Sequence, residues 1–146
     1  MEYEQLKLGN QVCFPIYAAS RLITRAYQPL LDQLGLTYPQ YLVLLVLWET
    51  DEVSVNDISE NLILNTNTVT PLLKRMETQG LINRNRSNSD ERRVIISLTK
   101  KGNDLKEQAA TIPQQLLEKL DVSELDLHEI IDLRDKLNRL IDAIRN

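Results

Sequence analysis

The sequence predicts a mainly α-helical protein with one small β-hairpin, and three observations lead to this fold class. Apolar residues recur at spacings of three and four along most of the 146-residue chain, which indicates amphipathic helices. The period changes to two in one place, between residues 81 and 98. Capping residues precede several helical stretches, and glycines follow them. At this length we expect a single domain, residues 1–146, with a sizeable core.

The first helix is predicted over about residues 8–34, where apolar side chains keep the helical spacing. Pro15 stands near its start, and proline is accepted in a first turn but kinks a helix interior. The helix therefore either starts near Gln11 or bends at Pro15. In both cases Cys13 lies at a helix end or an irregularity, and Gly35 ends the segment.

Three further helices follow, each with a recognisable start. Thr37 opens a nearly all-apolar helix, a composition that predicts burial. Ser54 and Asp57 have the capping-box spacing at the start of a short third helix. The polar run at residues 65–68 supplies turn and cap chemistry for a fourth helix, which Gly80 ends.

The hairpin and the tail complete the pattern. Two short strands, residues 81–86 and 93–98, flank a polar, turn-prone segment that suits a hairpin tip. Helix resumes after Thr99, is interrupted at Pro113, and begins again near Ser123 with a capping-box-like sequence.

Two short helices joined by a polar turn and followed by a basic hairpin are typical of a winged helix-turn-helix, a motif that reads DNA. We assign this reading head to residues 37–102. The apolar terminal regions, residues 1–36 and 103–146, are predicted to be dimerisation helices.

Basic residues are concentrated in the reading head. The chain has a net charge of −4, yet residues 74–101 contain eight cationic and three acidic residues. Counterion release from DNA needs only local cations, so this segment suits a phosphate-facing surface. A solvated charged loop would have the same composition, and charge alone does not separate the two. The predicted DNA contacts are Thr66, Asn67, Thr70, Lys74, Arg75, Arg84, Arg86, Arg92 and Arg93.

Each DNA contact also has a simpler structural explanation. The Thr and Asn residues before the fourth helix can serve as a cap alone, and arginines beside Asp90 and Glu91 can form internal salt bridges. The combination of both features within about forty residues favours DNA binding.

Composition excludes several other classes of protein. The longest apolar stretch, residues 42–48, is too short to cross a bilayer. Glu2 and Glu4 stand where a secretory signal needs cations, so we expect a cytoplasmic protein with no membrane partner. One Cys and one His allow neither an intrachain disulfide nor a zinc site within one chain, and we expect no metal and no cofactor.

The single cysteine, Cys13, lies near a group of tyrosines. Four of the five tyrosines fall between Tyr17 and Tyr41. A helix N-terminus and phenolic donors both favour the thiolate, which is the reactive form of cysteine. A lone cysteine on an apolar helical face is more commonly inert packing, so the residues alone leave redox sensing and packing both open.

Several short motifs resemble those of known regulators. The segments that are similar to MarR-type transcription regulators are residues 72–77, 79–82, 90–92 and 96–102. The segments that are similar to the organic-hydroperoxide-sensing (OhrR-type) branch are residues 11–14, 17–20, 27–32 and 36–42. The resemblance covers about residues 6–112.

This resemblance implies a homodimer that represses from a near-palindromic double-stranded operator and releases it when an organic hydroperoxide oxidises Cys13. It implies that Tyr27 and Tyr38 reach the thiol of the partner subunit. The redox-sensing residues would be Cys13, Tyr17, Tyr27 and Tyr38. It also places Arg92 in the minor groove, with Asp90 pairing near it.

The absence of a second cysteine excludes the branch that forms an intersubunit disulfide. Oxidised Cys13 is expected to remain a sulfenic acid, pair with a low-molecular-weight thiol, cyclise to a sulfenamide or over-oxidise.

Three alternatives compete with this interpretation. One is a MarR-type regulator that responds to a small phenolic ligand, with Cys13 structural. Another is a thiol peroxidase, but turnover needs a resolving thiol that the chain lacks, so we do not expect an enzyme. The third, a protein-interaction module, leaves the basic hairpin unexplained.

Overall fold

A computed structural model describes residues 2–120 and 124–145. Two short 3-10 turns, Glu4–Leu6 and Leu8–Asn10, precede the first helix. The elements are α1 (Cys13–Asp32), α2 (Tyr38–Glu49), β1 (Val53–Ser54), α3 (Val55–Leu62), α4 (Thr66–Thr78), β2 (Ile82–Arg86), β3 (Val94–Leu98), α5 (Lys100–Ala109), α6 (Ile112–Leu120) and α7 (Leu127–Arg145). This order confirms the predicted fold class. Within the described ranges, no helix is both long and apolar enough to cross a bilayer.

Helix α1 begins at Cys13, with Pro15 in its first turn, so the first of the two predicted alternatives is correct. The predicted start at residue 8 was five residues early. The preceding residues form tight turns instead, and Gln11 has an extended backbone that interrupts them. The α-helix continues through Pro29, which is exposed.

The three predicted helix starts are confirmed by their hydrogen bonds. The Oγ1 atom of Thr37 accepts the N–H of Gln40 at 3.4 Å, and Gln40 Oε1 accepts the N–H of Thr37 at 3.1 Å. Ser54 and Asp57 form the same reciprocal box at 3.1 and 2.9 Å. Asn65 caps α4 by accepting a backbone N–H through its side chain. Each box supplies partners to backbone groups that a helix end would leave free.

The sheet has three antiparallel strands in the order β1–β3–β2. The predicted hairpin is confirmed, with Ile82 opposite Leu98 and Arg86 opposite Val94. Strand β1 was not predicted. It contains two residues and pairs Val53 with Ile96, so no period of two could reveal it.

The chain divides into two compact units, residues 1–112 and 113–146. In the first unit, α2 lies at the centre of the core and buries residues on most of its faces, as its composition predicted. The predicted apolar face of α4 is also buried. Core residues of this unit include Leu31, Tyr41, Leu44, Leu47, Ile58, Val69, Leu72, Leu73, Met76, Ile82 and Ile96.

The second unit contains most of α6 and the whole of α7. The predicted interruption at Pro113 is confirmed, because α5 ends at Ala109 and Pro113 stands in the first turn of α6. Helix α7 begins after Asp126, which exchanges capping hydrogen bonds of 2.8 and 2.9 Å with Glu129. The predicted cap residue Ser123 lies outside the described residues. Exposed apolar residues of α7 include Leu127, Ile131, Leu133, Leu140 and Ile144.

Candidate DNA-reading surface and redox site

Helix α4 presents a polar first turn away from the core. Thr66 and Asn67 are exposed there, and Lys74 is exposed two turns later. Thr70 is half-buried, and Arg75 is exposed at the far end of the helix. The buried face of α4 fixes this orientation, so the side chains predicted to face DNA occupy one accessible side.

A cleft of about 260 Å³ separates the start of α4 from the hairpin, which we call the wing (residues 82–98). The residues that line it are Ser54, Val55, Asn56, Thr66, Thr70, Arg84, Arg92, Arg93 and Val94. The structure therefore brings five of the predicted DNA-contacting residues to one opening. Arg86 lies further along β2 and is exposed.

Arg84 is held against the recognition helix α4. Its side chain is only 19% exposed, and its Nη1 atom lies 3.7 Å from Oε1 of Glu77. The same carboxylate accepts the backbone N–H of Arg84 at 3.2 Å. The Nε atom is buried and has no hydrogen-bond partner among the described residues. These contacts join the base of the wing to α4.

The two neighbouring arginines of the wing have different surroundings. Arg93 lies 3.7 Å from the carboxylate of Asp57, rather than pairing with an adjacent acidic residue. Hydrogen bonds from Ser54 and the charge of Arg93 hold the pKa of Asp57 below its ordinary value. No ion pair of the described residues involves Arg92. Among the described residues, Arg93 therefore faces a carboxylate and Arg92 does not.

Asp90 shapes the wing tip through the backbone. Its carboxylate accepts the N–H of Arg92 at 3.0 Å, and its carbonyl accepts the N–H of Arg93 at 3.0 Å. These bonds close the turn that the sequence places there, and they set the direction in which Arg92 leaves the wing.

Cys13 is a free, exposed thiol at the first position of α1. Val12, Phe14 and Ile16 beside it are also exposed, so the thiol lies on an apolar patch. Tyr17, one helical turn later, is 62% exposed. The guanidinium of Arg21 lies 4.7 Å from the centre of the Tyr17 ring.

The other tyrosines form a separate cluster on α1 and α2. The ring centres of Tyr27 and Tyr38 are 4.8 Å apart, and Tyr41 lies 5.8 and 6.3 Å from them. Burial, followed by the neighbouring phenols Tyr38 and Tyr41, raises the pKa of Tyr27 to about 12. Burial also raises the pKa of both Tyr38 and Tyr41. Tyr41 was not among the predicted site residues, although its spacing of three from Tyr38 on one helix places it nearby.

Within one chain, this cluster cannot touch Cys13. Tyr27 stands fourteen positions after Cys13 on α1, which corresponds to about 21 Å along the helix axis. The structure thus brings Tyr27 and Tyr38 together and keeps both away from their own thiol. Of the predicted redox residues, only Tyr17 lies near Cys13 in the same chain.

The helix-turn-helix, the three-stranded sheet with its hairpin wing and the arginine-lined cleft define a winged helix DNA-binding protein. Residues 25–109 match the family described as transcriptional regulator SarA/Rot. The chain is 51% identical to the organic hydroperoxide resistance transcriptional regulator of Bacillus subtilis, over 98% of this chain and 95% of that protein. It is 38% identical to the regulator MgrA of Staphylococcus aureus, over 96% and 94%. The chain belongs to the MarR family of transcriptional regulators, in the group of the organic hydroperoxide resistance regulators.

Solved structures agree with this assignment. Reduced AbfR bound to DNA has a TM-score of 0.74 and 42% identity, covering 95% of this chain and 98% of that one. Overoxidised AbfR bound to DNA has a TM-score of 0.78 and 38% identity, covering 99% of both chains. The family resemblance and the winged helix-turn-helix predicted from the sequence are thereby confirmed.

Proposed function

We propose that this protein is a transcriptional repressor that binds a near-palindromic operator as a homodimer and releases it when an organic hydroperoxide oxidises Cys13. One observation carries the proposal: the chain has a single thiol, exposed at the start of α1, and is 51% identical to an organic hydroperoxide resistance regulator.

On DNA, α4 enters the major groove with Thr66, Asn67 and Thr70 towards base edges. Arg92 extends from the wing into the minor groove, where an arginine senses groove width and negative potential. The exposed cations that contact phosphates are Lys74, Arg75 and Arg86. Arg84 and Arg93 act mainly by fixing the wing, since each faces a carboxylate of the same chain.

A homodimer would cover the apolar residues that the single chain leaves exposed. These residues include Val12, Phe14, Ile16, Leu127, Ile131 and Leu140. Exposed apolar residues thus occur on each of the two units, and grouped apolar residues on a surface mark interaction sites. Because Tyr27 lies about 21 Å along α1 from its own Cys13 and the Tyr38 ring packs against Tyr27, any hydrogen bond from these phenols to a thiolate joins two subunits.

The chemical step needs only the thiolate and the oxidant. The sulfur attacks the hydroxyl-bearing peroxide oxygen, an S–O bond forms, the O–O bond breaks, and the departing alkoxide takes a proton from water and leaves as the alcohol. The sulfur loses two electrons and becomes a sulfenic acid. A low-molecular-weight thiol can then condense with it, forming a mixed disulfide and releasing water. Either product places new polar atoms in a packed interface, and moving the two reading heads apart relieves that cost.

The proposal is tested by fluorescence anisotropy on DNA from upstream of the protein's own gene. The reduced protein should bind, cumene hydroperoxide should release it, and a reductant should restore binding. Cys13→Ser should bind and stay bound at the same dose. Release of Cys13→Ser by that dose would refute the sensor, and release by a small phenol without any response to oxidant would favour a ligand-responsive regulator.

Mixed dimers test the arrangement between subunits. One chain carries Cys13→Ser, and the other carries Tyr27→Phe with Tyr38→Phe. Each homodimer should stay bound to the operator when oxidant is added. The mixed dimer contains one complete site and should release the operator. If the phenols acted on the thiol of their own chain, the mixed dimer would stay as insensitive as its parents.

A further inference from the structure

We infer that helix α2 carries the oxidation state of the thiol to both DNA-reading elements, through the side chains of Gln40 and Trp48. The inference rests on the proposed function and assigns positioning roles to two residues that touch neither thiol nor DNA. Helix α2 begins at Tyr38, one of the tyrosines of the redox site, and spans twelve residues, or about 18 Å.

Gln40 connects the start of α2 to the end of α4. Its side chain is almost fully buried, at 4% residue exposure. Oε1 accepts the N–H of Thr37 at 3.1 Å, and Nε2 donates to Oε1 of Gln79 at 3.0 Å. Gln79 directly follows α4, and its carbonyl accepts a hydrogen bond from Lys101. A buried amide without a hydrogen-bond partner costs free energy. The end of the recognition helix is therefore expected to move together with Gln40.

Trp48 connects the other end of α2 to the root of the wing. Its indole Nε1 donates to the carbonyl of Gly102 at 3.1 Å. Gly102 lies against the backbone of Leu81, the residue that precedes β2. The Trp48 ring also packs edge-on at 6.4 Å from Tyr41, which belongs to the tyrosine cluster. A shift of the cluster therefore reaches Trp48 by packing as well as through the helix.

The two contacts lie next to the two elements that enter DNA grooves, since Gln79 directly follows α4 and Gly102 of α5 packs against Leu81, which precedes β2. A short helix moves as a rigid body, so displacement of Tyr38 by an oxidised thiol displaces Gln40 and Trp48 together. The recognition helix and the wing then move as one unit. This movement changes the distance between them and the second half-site of the operator. Without these hydrogen bonds, the same displacement would be absorbed between α2 and the two elements that enter the DNA grooves.

Two variants separate this role from simple stability. Gln79 is exposed, so Gln79→Ala removes the bond to Gln40 and leaves the Thr37–Gln40 capping box intact. Trp48→Phe keeps an aromatic ring and removes the donor to Gly102. Gln79→Glu retains an acceptor for Gln40 and serves as the rescue variant. Gln108→Ala, an exposed glutamine on α5, is the matched control.

Operator Kd is measured for each variant before and after full oxidation by cumene hydroperoxide, with thiol loss followed in parallel. We expect reduced-state affinity within about threefold of the parent and unchanged thiol oxidation. The ratio of oxidised to reduced Kd should fall at least about fivefold in Gln79→Ala and Trp48→Phe. It should be unchanged in Gln108→Ala and recovered in Gln79→Glu.

If both variants release the operator normally on oxidation, the inference that Gln40 and Trp48 carry the oxidation state is wrong. The proposed function would remain intact. A variant that loses reduced-state affinity and also oxidises at a changed rate would show a general structural role instead, which also overturns the inference. Failure of the parent to release DNA on oxidation would overturn the proposed function itself. Cys13→Ser provides the unoxidised reference in every series.

Discussion

Replacing Gly102 with alanine should destabilise the protein, because this residue makes a close backbone contact in the first turn of α5. A Cβ atom at this position would lie 2.1 Å from the carbonyl oxygen of Leu81 and 3.1 Å from its carbonyl carbon. Both atoms are backbone, so the overlap cannot be relieved by turning a side chain. The start of α5 has to move away from Leu81 by at least about 1.3 Å to restore an ordinary van der Waals contact of 3.4 Å.

This movement disrupts three hydrogen bonds. The Leu81 carbonyl accepts the backbone N–H of Thr99 at 3.1 Å and its hydroxyl at 3.0 Å. The Gly102 carbonyl accepts the indole of Trp48 at 3.1 Å. Each bond contributes about 1 kcal/mol, and residual overpacking adds about 1–3 kcal/mol. The better helix propensity of alanine offsets about 1 kcal/mol, which leaves a net loss of about 4 kcal/mol.

Urea unfolding at one protein concentration measures the loss directly. Asn103→Ala, one position later and exposed, is the control and should change the free energy of unfolding by less than about 0.5 kcal/mol. Operator affinity of Gly102→Ala should also fall, since Leu81 leads into the wing. A Gly102→Ala protein within about 1 kcal/mol of the parent would show that α5 can move freely, and the reasoning would be wrong.

Three further predictions concern charges and phenols. Arg92→Ala should reduce the magnitude of the slope of log affinity against log salt by about 1, because its guanidinium lies in the negative potential of the minor groove, whereas Arg93→Ala should weaken binding with little change in slope; an equal reduction of the slope in both variants would show that both guanidinium groups lie against DNA. The folded-state pKa of Asp57 is lowered, so its contribution to stability is present above the unfolded value of 3.8 and is lost as pH falls below it. Asp57→Asn should therefore destabilise the protein at neutral pH and flatten the acid end of its stability profile, as measured by urea unfolding across pH. In an alkaline absorbance titration, one phenol should ionise near 12 rather than at the ordinary 10.0, and Tyr27→Phe should remove that step.

Local sequence signals predicted most of the secondary structure because their causes are local. The starts of α2, α3 and α4 depend on side chains that bond within three residues of themselves, so Thr37, Ser54 and Asn65 were readable in the sequence. Strand β1 was not, because its two residues become a strand only through pairing with Ile95 and Ile96 on β3. The beginning of α1 was placed too early because apolar spacing continues through residues that form tight turns.

The candidate site was also predicted only in part, and for the same reason. The polar first turn of α4 and the basic wing were predictable as sets, since both follow from residue type and order. The partners of individual side chains were not, because they depend on distant elements. Arg93 forms an ion pair with Asp57 on α3, and Gln40 donates a hydrogen bond to Gln79, thirty-nine positions away. Neither pairing has a signal in the local sequence, and the first gives Arg93, which the sequence predicted as a DNA contact, a partner in its own chain.

The position of the tyrosine cluster has a consequence for sensitivity to oxidant. A single chain has an exposed thiol at one end of α1 and Tyr27 about 21 Å along that helix, with Tyr38 packed against Tyr27, so under the proposed function one chain contains both halves of the site but no complete site. Under the proposed function, thiolate stabilisation and DNA binding therefore depend on the same association. Dilution below the dimer dissociation constant should slow oxidation of Cys13 and weaken operator binding together, whereas a site contained in one chain would lose only DNA affinity. The rate of thiol oxidation as a function of protein concentration distinguishes the two arrangements without any mutation.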